Sequence, residues 1–345
     1  VLIHEHPDND PRITPAQKGD TTMAKIDFNK IPRFSQLPVK PGAPPDSNWG
    51  VFGDDDEVGC INFLTEDGII EAAKLVRKGK VFRLDTPINY ANPPLFERSA
   101  VKHTKKSFED WGLLGYDDVL DNYNTQEGSQ WDGLGHVGNL GAHAFYNGVK
   151  NEQIKGSNKL GIHNWADKFV GRGLLLDVHR YCADKGRKVN PLSNEKYTLD
   201  ELKGALTAQK CELKPGTVLL VRTGWMQAYL AASAEQKREM GDLPKLKACG
   251  IEDSRAMVEW LWDNRVAAIG TDCPAVEAWP WAFKDPGALH YRTLSLLGLP
   301  LGEQFVLDKL ATDCADDQRY EFMLVSVPLH LVGGIASPPN AVAIK

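Results

Sequence analysis

The residues best equipped for chemistry in this chain lie in one polar, glycine-rich stretch, Gln126-x-Gly128-Ser129-Gln130-x-Asp132-x-x-x-His136, and at two positions far downstream, His290 and Glu303. Carboxylate, imidazole and amide groups drawn from two distant segments are how folded enzymes usually assemble a divalent metal site. On spacing alone a plainer account stands beside this one. Asp132 is then a turn-former before Gly133, His136 and His290 are loop histidines, and Glu303 is a carboxylate facing solvent.

Other chemistries fare worse. Gly133-Leu134-Gly135-His136-Val137-Gly138 spells G-x-G-x-x-G, but the preceding Asn124–Asp132 is no buried strand, so the context of a dinucleotide site is missing. No G-x-S-x-G occurs, which removes the nucleophile elbow of an α/β-hydrolase. Cys273 reads as a small buried thiol, and the 6 cysteines include no C-x-x-C pair.

The elements that must position these groups read as mixed α/β. Residues 66–78 place apolar side chains at helical spacing, Thr198-x-x-Glu201 is a capping box opening a second helix that ends near Cys211, and Ser254 to Asn264 predicts a third. Strands are expected over 81–89, 174–178, 218–221, 266–270 and 322–332. No repeat or low-complexity linker divides the chain, so we expect one domain over 49–345. It is preceded by an extended, partly flexible arm over 1–48, rich in proline at Pro38, Pro41, Pro44 and Pro45. The polar, aromatic segment from Lys102 to Gly148 shows little periodicity, and long irregular loops within domains tend to be functional.

Bulk properties exclude more than they assign. A net charge of -6 with a pI near 5.9 carries no footprint for nucleic acid. The longest apolar run, Phe322 to Val332, is broken by Pro328 and His330 and is too short to span a membrane. Scattered cysteines, and a leading segment with no apolar centre, imply a cytoplasmic protein. Met23 is a candidate internal start, and His4-x-His6 before it reads as an incidental pair.

The segment Gln126–His136 resembles, without a gap, the signature H-x-G-T-H-x-D-x-P-x-H of the cyclase family, which includes bacterial-type kynurenine formamidases, isatin hydrolases and trans-dienelactone hydrolases. Gly128, Ser129, Asp132 and His136 keep the frame, while Gln126 and Gln130 stand in place of two histidines and Leu134 in place of proline. Gly270-Thr271-Asp272-Cys273-Pro274-Ala275-Val276-Glu277 is similar to the family's G-x-D-x-P-x-x-[DE], and His290 and Glu303 fall where the family has a metal-binding histidine and glutamate. The blocks around Trp49-Gly50, Asp55 to Thr65, Val170-Gly171-Arg172-Gly173 and Arg222-Thr223-Gly224-Trp225 extend the likeness from about Trp49 to the C-terminus.

The resemblance implies a single-domain swivelling β/β/α fold with a mixed central sheet flanked by helices. It also implies a divalent metal held by Asp132, His290, Glu303, Gln130 and Gln126, or by the first three with the glutamines supporting them from behind, and His136 as general base. Exchanging imidazoles for neutral oxygen donors favours manganese over zinc. The expected reaction is opening of an amide, lactam or lactone bond of a small, aromatic or cyclic substrate by metal-activated water. Trp131, Trp279, Trp281, Tyr146 and Asp272 are the expected substrate-binding residues, and the expected assembly is a homo-oligomer, dimer or tetramer. A metal-dependent cyclase or dehydratase, and a non-catalytic ligand-binding relative, remain alternatives.

Overall fold

The computed structural model describes residues 26–281 and 287–345, so the expectations for residues 1–22 and Met23 lie outside the described residues. In chain order the strands are β1 (Val81–Arg83), β2 (Lys102–Ser107), β3 (Tyr116–Asp121), β4 (Gln130–Asp132), β5 (Val170–Leu176), β6 (Lys196–Tyr197) and β7 (Val218–Val221). β8 (Gly250–Ile251), β9 (Ala268–Thr271), β10 (Leu301–Glu303), β11 (Glu321–Ser326), β12 (Ala336–Ser337) and β13 (Ala341–Ile344) complete them. The α-helices are α1 (Glu66–Ala73), α2 (Asn151–Gly156), α3 (Val178–Asp184), α4 (Leu199–Ala208), α5 (Trp225–Ala231), α6 (Ala234–Gly241), α7 (Arg255–Asp263) and α8 (Asp308–Asp317).

A mixed nine-stranded sheet, in the order β1-β13-β11-β5-β7-β9-β10-β4-β12, forms the centre. Its middle strands β5, β7, β9 and β10 are parallel, and β4 and β12 extend one side antiparallel. Every residue of β7 and β9 is buried, as strands covered on both faces must be, which is why their sequences are uninterrupted small and apolar runs. β11 alternates between partly exposed and buried residues, the mark of a strand with one face to the core.

Helices form where capping and pattern agree. Thr198 accepts from the Glu201 amide and Glu201 answers at the Thr198 amide, closing the capping box at the head of α4. In α7 the Ser254 hydroxyl caps the Met257 amide, and Met257, Val258, Leu261 and Trp262 face the core. Several elements are shorter than the sequence implied: the expected strand over 81–89 is confined to β1, and that over 322–332 ends at Ser326 before Pro328.

The expectation of an irregular segment from Lys102 to Gly148 is corrected. It contains the β2–β3 ribbon and the short strand β4. The ribbon's register sets Lys102, Lys105 and Lys106 opposite Asp121, Asp118 and Asp117, so opposite charges across the pair stand in for a buried apolar face. Most of the ribbon is exposed, and Trp111, Leu113 and Leu114 lie uncovered at its turn. The described part of the N-terminal arm docks on its own chain: Phe34 is fully buried, and the Trp262 indole N–H donates to the Pro32 carbonyl.

Candidate metal centre

β4 and β10 run antiparallel, with Gln130 opposite Glu303 and Asp132 opposite Leu301. Opposed residues share a face and successive ones alternate, so Gln130, Asp132 and Glu303 project together while Trp131 and Gly302 project the other way. Gln130 Nε2 accordingly donates to Glu303 Oε2 at 2.8 Å and to Asp132 Oδ1 at 3.1 Å. Ser129 pins the start of β4: its hydroxyl donates to the Gln304 carbonyl at 2.6 Å and accepts from the Thr86 amide at 2.8 Å. On the reverse face a Cβ at Gly302 would come within 2.5 Å of the Trp131 ring, so the close approach requires glycine.

His290 enters from the head of the helical stretch Tyr291–Leu297. Its Nε2 stands 3.4 Å from Glu303 Oε1 and 3.9 Å from Asp132 Oδ2. Its Nδ1 lies 2.9 Å from Glu277 Oε2, and its backbone amide donates to Glu277 Oε1 at 3.3 Å. Glu277 closes the loop that follows β9, so both carboxyl ends of the parallel pair β9 and β10 feed the site, where ligands of α/β sheets bind. His136 Nε2 lies 3.8 Å from Asp132 Oδ1, and Gln126 Nε2 bridges the two, 2.8 Å from Asp132 Oδ1 and 3.3 Å from His136 Nδ1. One ligand atom each from Asp132, His136 and His290 falls within 4.8 Å of the others.

The charge balance of this cluster calls for a cation. Asp132 and Glu303 are both buried, and among the described residues Asp132 Oδ2 has no hydrogen-bond donor. A buried carboxylate oxygen without a partner costs several kcal/mol unless a positive charge answers it. Burial first, and then the neighbouring Asp132, push the Glu303 carboxyl up to about 7. Burial works against a charged His290, yet Glu277 and Glu303 more than reverse it, raising its pKa well above the ordinary range. Burial lowers the pKa of His136, with Asp132 opposing, so this imidazole stays neutral near pH 7. The donor set therefore fits a divalent ion.

The sequence-predicted residues divide sharply. Gln126, Gln130, Asp132, His136, His290 and Glu303 converge, and Trp279 and Trp281 join His136, His290 and Glu303 around a cavity of about 370 Å³. Trp281 stacks on His290 at 5.5 Å and Trp279 meets Phe96 edge-on at 5.0 Å. Gln126 and Gln130, for which the sequence left direct ligation and a supporting role both open, present amide nitrogens to Asp132 here, as donors that brace a carboxylate. Trp131 is corrected from substrate wall to core, since strand alternation carries it to the opposite face, stacked on Phe169 at 4.6 Å with its N–H donating to Ser326 Oγ at 3.0 Å.

Tyr146 and Asp272 are likewise structural. Tyr146 is fully buried and donates to Asp56 Oδ2 at 2.9 Å, joining the early block to the body. Asp272 accepts from the Thr223 amide and hydroxyl, both at 2.6 Å, and from the Gly224 amide at 2.9 Å, fastening the head of α5 to β9.

Two site residues escaped the sequence reading. Glu277 occupies the acidic position of the Asp272 motif, a signal that marked the residue and not its partner. Arg98 had no signal: it stands in an irregular stretch after Pro93-Pro94, and its Nη1 donates to the Gln126 carbonyl and, at 3.2 Å, to Gln130 Oε1.

Comparison with known proteins agrees with this architecture. A family model described as a putative cyclase matches residues 73–278. A crystal structure described as a novel cyclase is 33% identical, covers 87% of this chain and 99% of its own, and superposes with a TM-score of 0.77. The chain belongs to the cyclase family. An isatin hydrolase bound to thioisatinate shares the fold at 16% identity, over 79% of this chain and 94% of its own, with a TM-score of 0.54. Isatin hydrolase A from Labrenzia aggregata does so at 16% identity, over 79% of this chain and 94% of its own, with a TM-score of 0.52. No curated sequence matches the chain.

Proposed function

We propose that this protein is a metal-dependent hydrolase that opens an amide, lactam or lactone bond of a small, planar or cyclic substrate. The observation that carries the reading is the buried Oδ2 of Asp132, which has no hydrogen-bond donor among the described residues and lies beside His290 Nε2 and Glu303. Asp132, His290 and Glu303 would hold the ion, and two carboxylates to one imidazole, with no thiolate, favour manganese(II) over zinc. When bound, such an ion polarises a carbonyl and acidifies a coordinated water.

The chain's own groups supply the proton traffic. Neutral His136, partly exposed on the cavity wall, takes the proton of the water whose oxygen bonds to the carbonyl carbon. The C–N or C–O bond then breaks, its electron pair leaves on nitrogen or oxygen, and His136 returns the proton there. Glu277 accepts a hydrogen bond from His290 Nδ1–H, which leaves Nε2 as the nitrogen that would face a bound ion beside Asp132 and Glu303. Trp279 and Trp281 supply flat apolar walls. That isatin hydrolases share the fold supports a planar cyclic substrate.

The distances also favour a second assignment, in which His136 joins Asp132 and His290 as a ligand and Glu303, near neutrality, carries the proton. Asp132→Asn abolishes turnover and metal retention in both versions. Glu303→Gln loses the ion in the first and keeps it, without turnover, in the second; bound metal measured on purified protein separates them. A product heavier than substrate by one water distinguishes hydrolysis from cyclisation or dehydration. Protein that retains no metal and hydrolyses neither an N-formyl arylamine nor a lactone after manganese addition would be the non-catalytic relative.

A further inference from the structure

Arg98 is half-buried on the wall of the cavity that holds His136, His290 and Glu303. Its Nη1 is occupied by the Gln126 carbonyl and Gln130 Oε1, and its guanidinium lies over the Phe96 ring at 5.0 Å. Among the described residues no carboxylate comes within ion-pair distance of it, and neither Nη2 nor Nε is hydrogen-bonded to the protein. Holding an unpaired cation out of bulk water is costly, so its placement beside an aromatic slot needs a reason. The metal-site carboxylates are already engaged: Gln130 stands between Arg98 and Glu303 with its oxygen toward the first and its nitrogen toward the second.

A guanidinium anchored through one terminal nitrogen keeps the other edge of its fork, Nη2 with Nε, as a ready pair of parallel donors. That edge matches the two oxygens of a carboxylate. Phe96, Trp279 and Trp281 stand around the same cavity, with the Trp279 ring nearly perpendicular to each of the other two, giving a flat body somewhere to lie.

We propose that Arg98 is a substrate-binding residue and that the substrate is an aromatic acyl compound carrying a carboxylate separate from the bond that is broken. The carboxylate pairs with Arg98, the ring lies among Phe96, Trp279 and Trp281, and the scissile carbonyl faces His136 and Glu303. This rests on the hydrolase reading above for the last of these contacts, and on Arg98 alone for the first.

The test uses the manganese-loaded full chain and paired probes that differ only in charge: benzoate against benzamide for binding, and 3-formamidobenzoate against 3-formamidobenzamide for turnover. The wild type binds benzoate more tightly than benzamide and hydrolyses the carboxylate probe preferentially. Arg98→Met lowers both preferences by about 30-fold or more, chiefly through binding and KM. Arg98→Lys, which keeps the charge without the fork, falls between them and carries the comparison should Arg98→Met fail to fold. A benzoate preference that survives Arg98→Met places the anion on the metal and overturns the proposal, as does a wild type indifferent to charge. Arg98-dependent benzoate binding without hydrolysis of either probe, or of a carboxylate-bearing aryl lactone run beside them, upholds the anion site and overturns the hydrolase reading instead.

Discussion

Glu277→Gln tests the site through a residue that never touches the ion. Both oxygens of Glu277 are in use, Oε2 on His290 Nδ1 at 2.9 Å and Oε1 on the His290 amide at 3.3 Å, and both residues are buried. A glutamine offers one oxygen and one NH2 in the same space. If its oxygen faces Nδ1, the NH2 opposes the backbone N–H and leaves that donor unanswered, at about 1–3 kcal/mol. If its NH2 faces Nδ1, the ring proton moves to Nε2 and the lone pair aimed at Asp132 and Glu303 disappears. In either orientation a charge-assisted bond becomes a neutral one of about half the strength.

Loss of such a supporting partner lowers metal affinity about 10–100-fold, equivalent to about 1.4–2.7 kcal/mol. Manganese titration against a competing chelator reads this directly, and thermal unfolding in chelator shows whether the variant is folded without metal. Folded Glu277→Gln that binds manganese as tightly as wild type would refute the claim that Glu277 sets the imidazole tautomer.

Two further outcomes follow from the architecture. Trp131→Ala removes a ring wedged between Phe169 and Phe305 and costs about 3–5 kcal/mol in urea unfolding; a cost below about 1 kcal/mol would show that Trp131 is not core. At Asp313, burial works upward, but hydrogen bonds from Lys80 and Lys345 hold the carboxyl down at about 2. Since an unfolded aspartate titrates near 3.9, this cluster stabilises the fold above about pH 4 and that contribution is lost as pH falls toward 2. The Tm gap between wild type and Asp313→Asn should therefore narrow from pH 5 to pH 2, and a gap that stays constant would rule the linkage out.

Much of the site was legible because its donors are chemically distinctive and two of them lie four residues apart. Asp132, His136, His290 and Glu303 stood out by type, but it was their fit to the cyclase family's motifs that set them above ordinary turn and loop residues. Trp131 was misplaced because a three-residue strand inside a polar, glycine-rich stretch has no visible period; once β4 is recognised, alternation alone turns the indole away. The β2–β3 ribbon was invisible for a related reason. Its sequence lacks apolar alternation, and cross-strand Lys–Asp pairs appear only when the register is known. The sequence left the two glutamines between ligand and support, because an amide carries a donor as well as an acceptor, and only the folded neighbourhood of Asp132 and Glu303 selects the donor.

The β2–β3 ribbon is rooted in the metal centre. Arg98 lies four residues before its first strand, Gln126 five residues after its second, and these two feet are tied to each other by the Arg98 guanidinium on the Gln126 carbonyl. The projection and the candidate metal site thus share one footing. The ribbon whose uncovered end carries Leu114, 98% exposed, stands on the same two side chains that steady Gln130 and Asp132.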